Sequence, residues 1–231
     1  MSSGGGGSGS VIAPLLVRFL MERKQPVIVF LVGSAMSLMD AKNTLSTIAS
    51  YEGLVEANQM PLTLVYLQNS PTMSRSEVDQ AFFDMISALS MLYSRNNREM
   101  DTQDLRHLLS YDKVTAHGPQ LTVLNIVGND QHIGNIGNLI SLATLIHGDM
   151  DSSFNNQRAD YHTIGYVQSD DAEVVSKLPL HFAITDGILH DVAAELEEVI
   201  KDSANALEVR KPKKSISSSV AGTRDKTGLV F

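Results

Sequence analysis

The sequence predicts an α/β fold in which helices cover a largely parallel sheet. Residues 27–32 (VIVFLV) and 62–67 (LTLVYL) are apolar runs of strand length without polar alternation, as expected of strands buried on both faces. Each follows a segment with helical periodicity, so helix and strand take turns along the chain, the signature of an α/β layer. A long helical pattern over residues 74–95 then joins two packed units.

Taken in order, the chain opens with SSGGGGSGS at residues 2–10, which cannot form regular structure by itself. Ile12, Leu15, Leu16, Phe19 and Leu20 follow at helical spacing and make the apolar face of a first helix. Pro14 sits in its first turn, where a missing N–H costs nothing. Residues 22–26 (ERKQP) end that helix before the first apolar run, and a second helix is predicted over 41–56 before the next. The long helix over 74–95 has Val78, Phe82, Met85, Ile86, Leu89 and Leu92 on its apolar side. Beyond Asp101 come a helix over 102–110, a strand over 121–127, a Gly- and Asn-rich segment over 128–138 and an apolar run over 139–146. Strands over 161–168 and 179–185 follow, then a final helix over 187–208 carrying Ile188, Val192, Leu196, Val199 and Ile200. The last twenty residues, with KPKK and SISSS, read as flexible.

Composition narrows the function. At 231 residues, 43% hydrophobic and 19% charged, the chain has the make-up of an ordinary globular protein. No apolar run approaches the roughly 20 residues that a membrane-crossing helix needs. The absence of cysteine excludes disulfides and thiolate metal sites. The formal charge of −8 is uneven: residues 210–231 hold six Lys/Arg against Asp225, leaving −13 on residues 1–209. An acidic body argues against nucleic acid as a direct partner, because phosphate binding needs a basic surface. A cytoplasmic location fits these features. The seven histidines show no metal-ligand spacing, so no metal site is assigned.

Three constellations carry chemistry. Gly4 to Gly7, Ser8, Gly9 and Ser10 stand directly before the first helix, where converging backbone amides and a helix N-terminus suit a phosphate. No Lys-Ser/Thr pair follows, so this is not a Walker A loop, and composition alone fits a flexible linker equally well. The second is Asp101-Thr102-Gln103-Asp104, which opens a helix. Taken alone its carboxylates read first as helix caps, and carboxylates can also orient water. The third is Asn69, after a strand, with Arg75 and Asp79 at the start of the long helix. A carboxylate can accept from two adjacent N–H groups of a guanine, and a guanidinium can stack on the ring.

Gly5-Gly6-Gly7-Ser8-Gly9-Ser10 followed by Ala13-Pro14 resembles the GGGTG[ST]G loop and helix of the tubulin/FtsZ superfamily. The form with Ser8, and with Val11 in place of a final glycine, is most similar to the tubulin-like (PhuZ-type) GTPases of large bacteriophages. This resemblance implies a partial nucleotide-binding domain over 1–73, a core helix and break over 74–100, a smaller C-terminal α/β domain over 101–208 and a flexible assembly tail over 209–231. It implies GTP or GDP as ligand, accompanied by Mg2+, with Gly5, Gly6, Gly7, Ser8, Gly9 and Ser10 at the phosphates and Asn69, Arg75 and Asp79 at the base. Asp101 and Asp104 match the family's Asp-x-x-Asp loop, which acts on the nucleotide of the neighbouring subunit, so the implied partner is a second copy in a head-to-tail filament. In an infected cytoplasm such filaments would position viral DNA or capsids. The family carries its first strands and other phosphate loops upstream of the glycine loop. The chain is therefore expected to be a fragment, to have a misplaced start, or to be a degenerate relative that assembles without hydrolysis.

Overall fold

The computed structural model describes residues 2–94, 97–128, 136–148 and 158–210. In chain order these form β1 (Ser2–Ser3), α1 (Gly9–Met21), β2 (Ile28–Ser34), α2 (Leu38–Asn58), β3 (Leu62–Asn69) and α3 (Arg75–Leu92). After them come β4 (Asn97–Arg98), α4 (Thr102–Leu109), a 3₁₀ turn (Tyr111–Lys113), β5 (Leu121–Val127), β6 (Leu139–His147) and β7 (Tyr161–Val167). A short α5 (Ala172–Val175), β8 (Leu180–Thr185) and α6 (Ile188–Arg210) complete the described chain. The strands expected over 121–127, 161–168 and 179–185 are present to within a residue at each end. The expected tail lies outside the described residues from 211 onward.

All eight strands belong to one mixed sheet in the order β1-β2-β3-β5-β8-β6-β7-β4. The first four run parallel; β8 is antiparallel to both β5 and β6, β7 is parallel to β6, and β4 is antiparallel to β7. Apart from the two-residue pairing of edge strand β1 with β2, the shortest parallel joint is between β3 and β5. It holds three residue pairs, Leu62–Leu121 to Leu64–Val123, where β2 and β3 share seven. Thr63 and Thr122 reinforce it with hydroxyls 3.2 Å apart, both buried.

Because side chains alternate along a strand, the apolar runs supply two cores. Val29, Leu31, Leu62 and Leu64 face one side and pack with Val17 and Met21 of α1, Ile48, Tyr51 and Val55 of α2, and Leu189 of α6. Val32 and Val65 face the other, with Val78, Phe82, Leu89 and Leu92 of α3 and Leu105, Leu108 and Leu109 of α4. That second core continues under β5, β6 and β8 through Leu124, Ile140, Ala143, Phe182 and Ile184. Both faces are covered, which is why the runs show no polar alternation.

Two expectations about helix faces need correction. Ile12, Leu15, Leu16 and Phe19, with Val11, are 51–62% exposed, and Leu20 is 38% exposed; Val17 and Met21 are the buried residues of α1. The physical reason is position: α1 packs on α2 and β1 at the end of the sheet, and its outer flank is left exposed. On α3, Ile86 is 41% exposed, and the rest of the expected apolar side is buried or partly buried. No helix among the described residues is long and apolar enough to cross a membrane.

One buried polar chain lies in the second half. Thr144 Oγ1 is 3.2 Å from His162 Nε2 and 3.1 Å from His181 Nδ1. Burial, and secondarily the nearby His181, hold His162 below its ordinary value of 6.5.

Two outcomes follow. Replacing Leu15 and Leu16 by Lys should leave stability within about 0.5 kcal/mol per site, because these side chains are solvated, while lowering self-association and hydrophobic-dye binding. A large loss of stability in denaturant titration would mean that the α1 flank is covered. For His162, the unfolded chain binds the proton more readily than the folded one. Its contribution is therefore complete above about pH 6.5 and is lost as the pH falls below that value. Urea midpoints at pH 7.5 and 5.5 should differ less in His162→Gln than in the parent.

Candidate functional site

A cavity of about 720 Å³ opens at the carboxyl ends of β1, β2 and β3, lined by Ser2, Ser3, Gly5, Gly6, Gly7, Val32, Ser34, Asp40, Asn69, Arg75 and Asp79. Ligands of open α/β sheets bind at this end of the strands. The geometry follows from how the glycine loop is fastened. The Gly4 amide donates to the Val32 carbonyl at 2.7 Å, continuing the β1–β2 pairing. Thr47 Oγ1 then donates to the Gly4 carbonyl at 3.3 Å, and Asn43 Nδ2 to the Gly5 carbonyl at 3.1 Å. With those carbonyls tied to α2, Gly6 and Gly7 turn the chain at φ of +140° and +74°, angles that side chains with a Cβ rarely adopt. The amides of Gly6, Gly7 and Ser8 find no acceptor among the described residues. Unpaired amides ahead of a helix N-terminus have the chemistry that suits an anion.

The loop residues do not all face the cavity. Ser8 precedes α1 without a side-chain cap, and Ser10 Oγ turns back to donate to the Gly7 carbonyl at 2.9 Å. Gly9 is a packing position: a Cβ there would stand 2.9 Å from the Ser3 amide nitrogen and push α1 off β1.

Across the cavity, Asn69 ends β3 and its Oδ1 is buried without a hydrogen-bond partner. Such an orphaned acceptor is costly unless something fills it. Arg75 and Asp79 lie four residues apart on α3, hence on one face. The start of α3 is set by a capping box in which Ser74 and Glu77 exchange bonds, Ser74 accepting from the Glu77 amide and Glu77 from the Ser74 amide. Sequence reasoning missed Asp40, whose Oδ2 accepts from Ser34 Oγ at 3.3 Å, and the supports Asn43 and Thr47. Ser37-x-x-Asp40 immediately after a strand was the available signal; nothing local marks Asn43 or Thr47, which act across about forty residues of chain.

The acid pair lies elsewhere. Asp101 caps α4: its Oδ1 accepts from the amides of Gln103 at 2.6 Å and Asp104 at 3.0 Å, and Asp104 Oδ2 accepts from the Asp101 amide at 3.0 Å. The 18 residues of α3 separate the pair from the cavity, and at 1.5 Å per residue that helix is about 27 Å long. Within one chain the two sites cannot meet. Beside the pair, Lys24, Arg106 and Lys113 line a smaller basic cavity of about 250 Å³.

A family model of the C-terminal domain of phage tubulin-like proteins matches residues 100–188. The phage tubulin-like protein of Pseudomonas phage phiKZ is 26% identical over 227 residues, covering 98% of this chain and 68% of that protein. Its counterpart in Pseudomonas phage 201phi2-1 is 26% identical over 202 residues, 86% of this chain and 62% of that one. The chain thus spans about two thirds of the relatives it matches. Among solved structures, the phage tubulin PhuZ with GDP aligns with a TM-score of 0.86 at 21% identity, covering 99% of this chain and 72% of that one. The protofilament of TubZ from bacteriophage PhiKZ aligns with a TM-score of 0.82 at 25% identity, covering 100% and 71%.

The capping role of Asp101 predicts that Asp101→Ala lowers stability by about 1 kcal/mol, and that Asp101→Ser, which keeps a cap but removes the charge, lowers it by much less. Chemical denaturation measures both. Equal losses would mean that the carboxylate does more for the fold than cap α4.

Proposed function

We propose, starting from the premise that this chain belongs to the phage tubulin-like protein family of the tubulin/FtsZ superfamily, that it works as a polymerising GTPase. Guanine nucleotide binds in the cavity at the strand ends, copies stack head to tail, and hydrolysis occurs where the acid pair of one copy meets the nucleotide of the next. The observation that carries this reading is the joint lining of one cavity by the glycine loop, Asn69, Arg75 and Asp79, with Asp101 and Asp104 a helix length away. Solved relatives described as a filament and as a protofilament support the self-association.

The donor set fits the nucleotide. The free amides of Gly6, Gly7 and Ser8 would receive the phosphates, assisted by the positive end of α1. Asn69 Oδ1 and the Asp79 carboxylate are acceptors suited to the N–H edge of guanine. Arg75 lines the same cavity, and a guanidinium can stack on a base. Among the described residues no three His, Asp or Glu side chains cluster as a metal site. A magnesium ion bound with the nucleotide would draw ligands from the phosphates and water, as that ion commonly does.

The acid pair's work is to orient the attacking water and draw its proton, a contribution of about 10²–10⁴-fold for a positioned base. Since cavity and acids sit at opposite ends of α3, turnover requires contact between copies and rises with assembly. In the cytoplasm of an infected cell, such filaments would position viral DNA or capsids.

A second reading, a structural relative that assembles without hydrolysis, is favoured by one observation: Asp101 and Asp104 exchange capping bonds with the first turn of α4, a role the fold alone accounts for.

GTP turnover measured against protein concentration, with light scattering, separates the two. The GTPase reading expects turnover to appear above a threshold concentration together with scattering. Scattering without turnover supports the second reading, and neither signal overturns both. Asp104→Asn, which keeps the shape of the side chain, is expected to reduce turnover at least 100-fold while filaments still form.

A further inference from the structure

We propose that Tyr161, the first residue of β7, is a positioning residue that holds Asp104 for the reaction; this rests on the hydrolysis proposed above. The Tyr161 hydroxyl donates to Asp104 Oδ1 at 3.1 Å and lies 3.4 Å from the Asp104 main-chain carbonyl. The other carboxylate oxygen, Oδ2, is taken by the Asp101 amide at 3.0 Å. Asp104 is therefore gripped at both oxygens, one by the start of its own helix and one by the sheet. Turning its carboxylate breaks one of the two bonds.

The two acids are not equivalent. Asp101 uses Oδ1 for two amides of the first turn of α4, and its Oδ2 has no partner among the described residues. Asp101 is exposed and Asp104 half-buried. Asp101 thus offers a free oxygen to the neighbouring copy, and Asp104 is the fixed member against which the geometry is set. Oδ1 of Asp104 keeps a second lone pair for water, in the direction that the phenol bond leaves open.

Tyr161 is itself well braced. Its partner in the β6–β7 pairing is Ser141, whose Oγ donates to the Leu108 carbonyl at 2.9 Å in a buried setting. Adjacent strands therefore hold α4 at both ends, Tyr161 at its first turn and Ser141 at its last. His107 meets the Tyr161 ring edge-on, with centroids 5.7 Å apart and planes at 83°, which restricts the ring. Burial first, and then the neighbouring Asp104 carboxylate, hold the phenol well above its ordinary pKa of 10. It stays a donor and exchanges no proton in the reaction.

Sequence distance hides this pair: 57 residues separate the two side chains. In the sequence Tyr161 reads only as an aromatic at the start of a strand.

The test is a cycle of Tyr161→Phe and Asp104→Asn in the full chain. Phenylalanine keeps the ring against His107 and removes only the hydroxyl. GTP turnover per assembled subunit should fall roughly ten- to a hundredfold, the scale at which a misplaced catalytic group is felt. Nucleotide affinity and the assembly threshold should not change. In the Asp104→Asn background, Tyr161→Phe should add nothing. Alkaline absorbance titration supplies a readout independent of turnover: one high-pH tyrosine transition should vanish in Tyr161→Phe and move to lower pH in Asp104→Asn. Turnover unchanged in Tyr161→Phe, or reduced equally in both backgrounds, overturns the inference and leaves the proposed function standing. A parent protein that assembles but never hydrolyses GTP overturns the GTPase reading and this inference with it, whatever contact the titration reports.

Discussion

The joint between β3 and β5 is the constraint on which the rest of the structure depends. Three parallel residue pairs and two stacked threonines carry the sheet from its first parallel strands into its mixed half. A joint that short would be weak alone. It is backed by α3, whose Val78, Phe82, Leu89 and Leu92 share one core with Val65 on one side of the joint and Leu124 and Phe182 on the other. Burial of that core, at about 25 cal/mol per Å² of apolar surface, does what three ladder steps cannot. The cavity and the acid pair thereby keep a fixed separation, set by the length of α3.

That separation gives the chemistry its logic. At the cavity, polar groups are sorted: the carbonyls of Gly4 and Gly5 are satisfied by Thr47 and Asn43, and the amides that follow are left open. At the acid pair the sorting is reversed, with acceptor oxygens tied to the amides of their own helix and to Tyr161. One end of the molecule leaves main-chain donors open among the described residues, and the other holds two carboxylates at the start of α4.

How much of this was legible in the sequence depended on how local the cause was. The unalternated runs at 27–32 and 62–67 foretold buried strands because period-two burial on both faces leaves that mark directly. Ser74-x-x-Glu77 and Asp101-x-x-Asp104 set their helix starts through bonds spanning three residues. The α1 stripe misled for the same reason in reverse. Periodicity reveals that a helix has an apolar flank, but which flank meets the core depends on where the helix sits in the sheet order. Ile12, Leu15, Leu16 and Phe19 form a regular stripe, and it is Val17 and Met21 that are buried.

By itself the sequence determined the alternation of helices and strands and the resemblance on which the proposed phosphate, base and water roles rest. Each is written in neighbours a few residues apart, where spacing and side-chain chemistry suffice. The tertiary structure alone decided that Gly5–Gly7, Asn69, Arg75 and Asp79 line one cavity and that Asp40 joins them. It also decided that Asn43 and Thr47 tie down the loop from α2, and that Tyr161 reaches Asp104. These contacts cross 38 to 57 residues of chain. They exist because the order of strands brings distant segments together, and no local pattern of residues encodes that order.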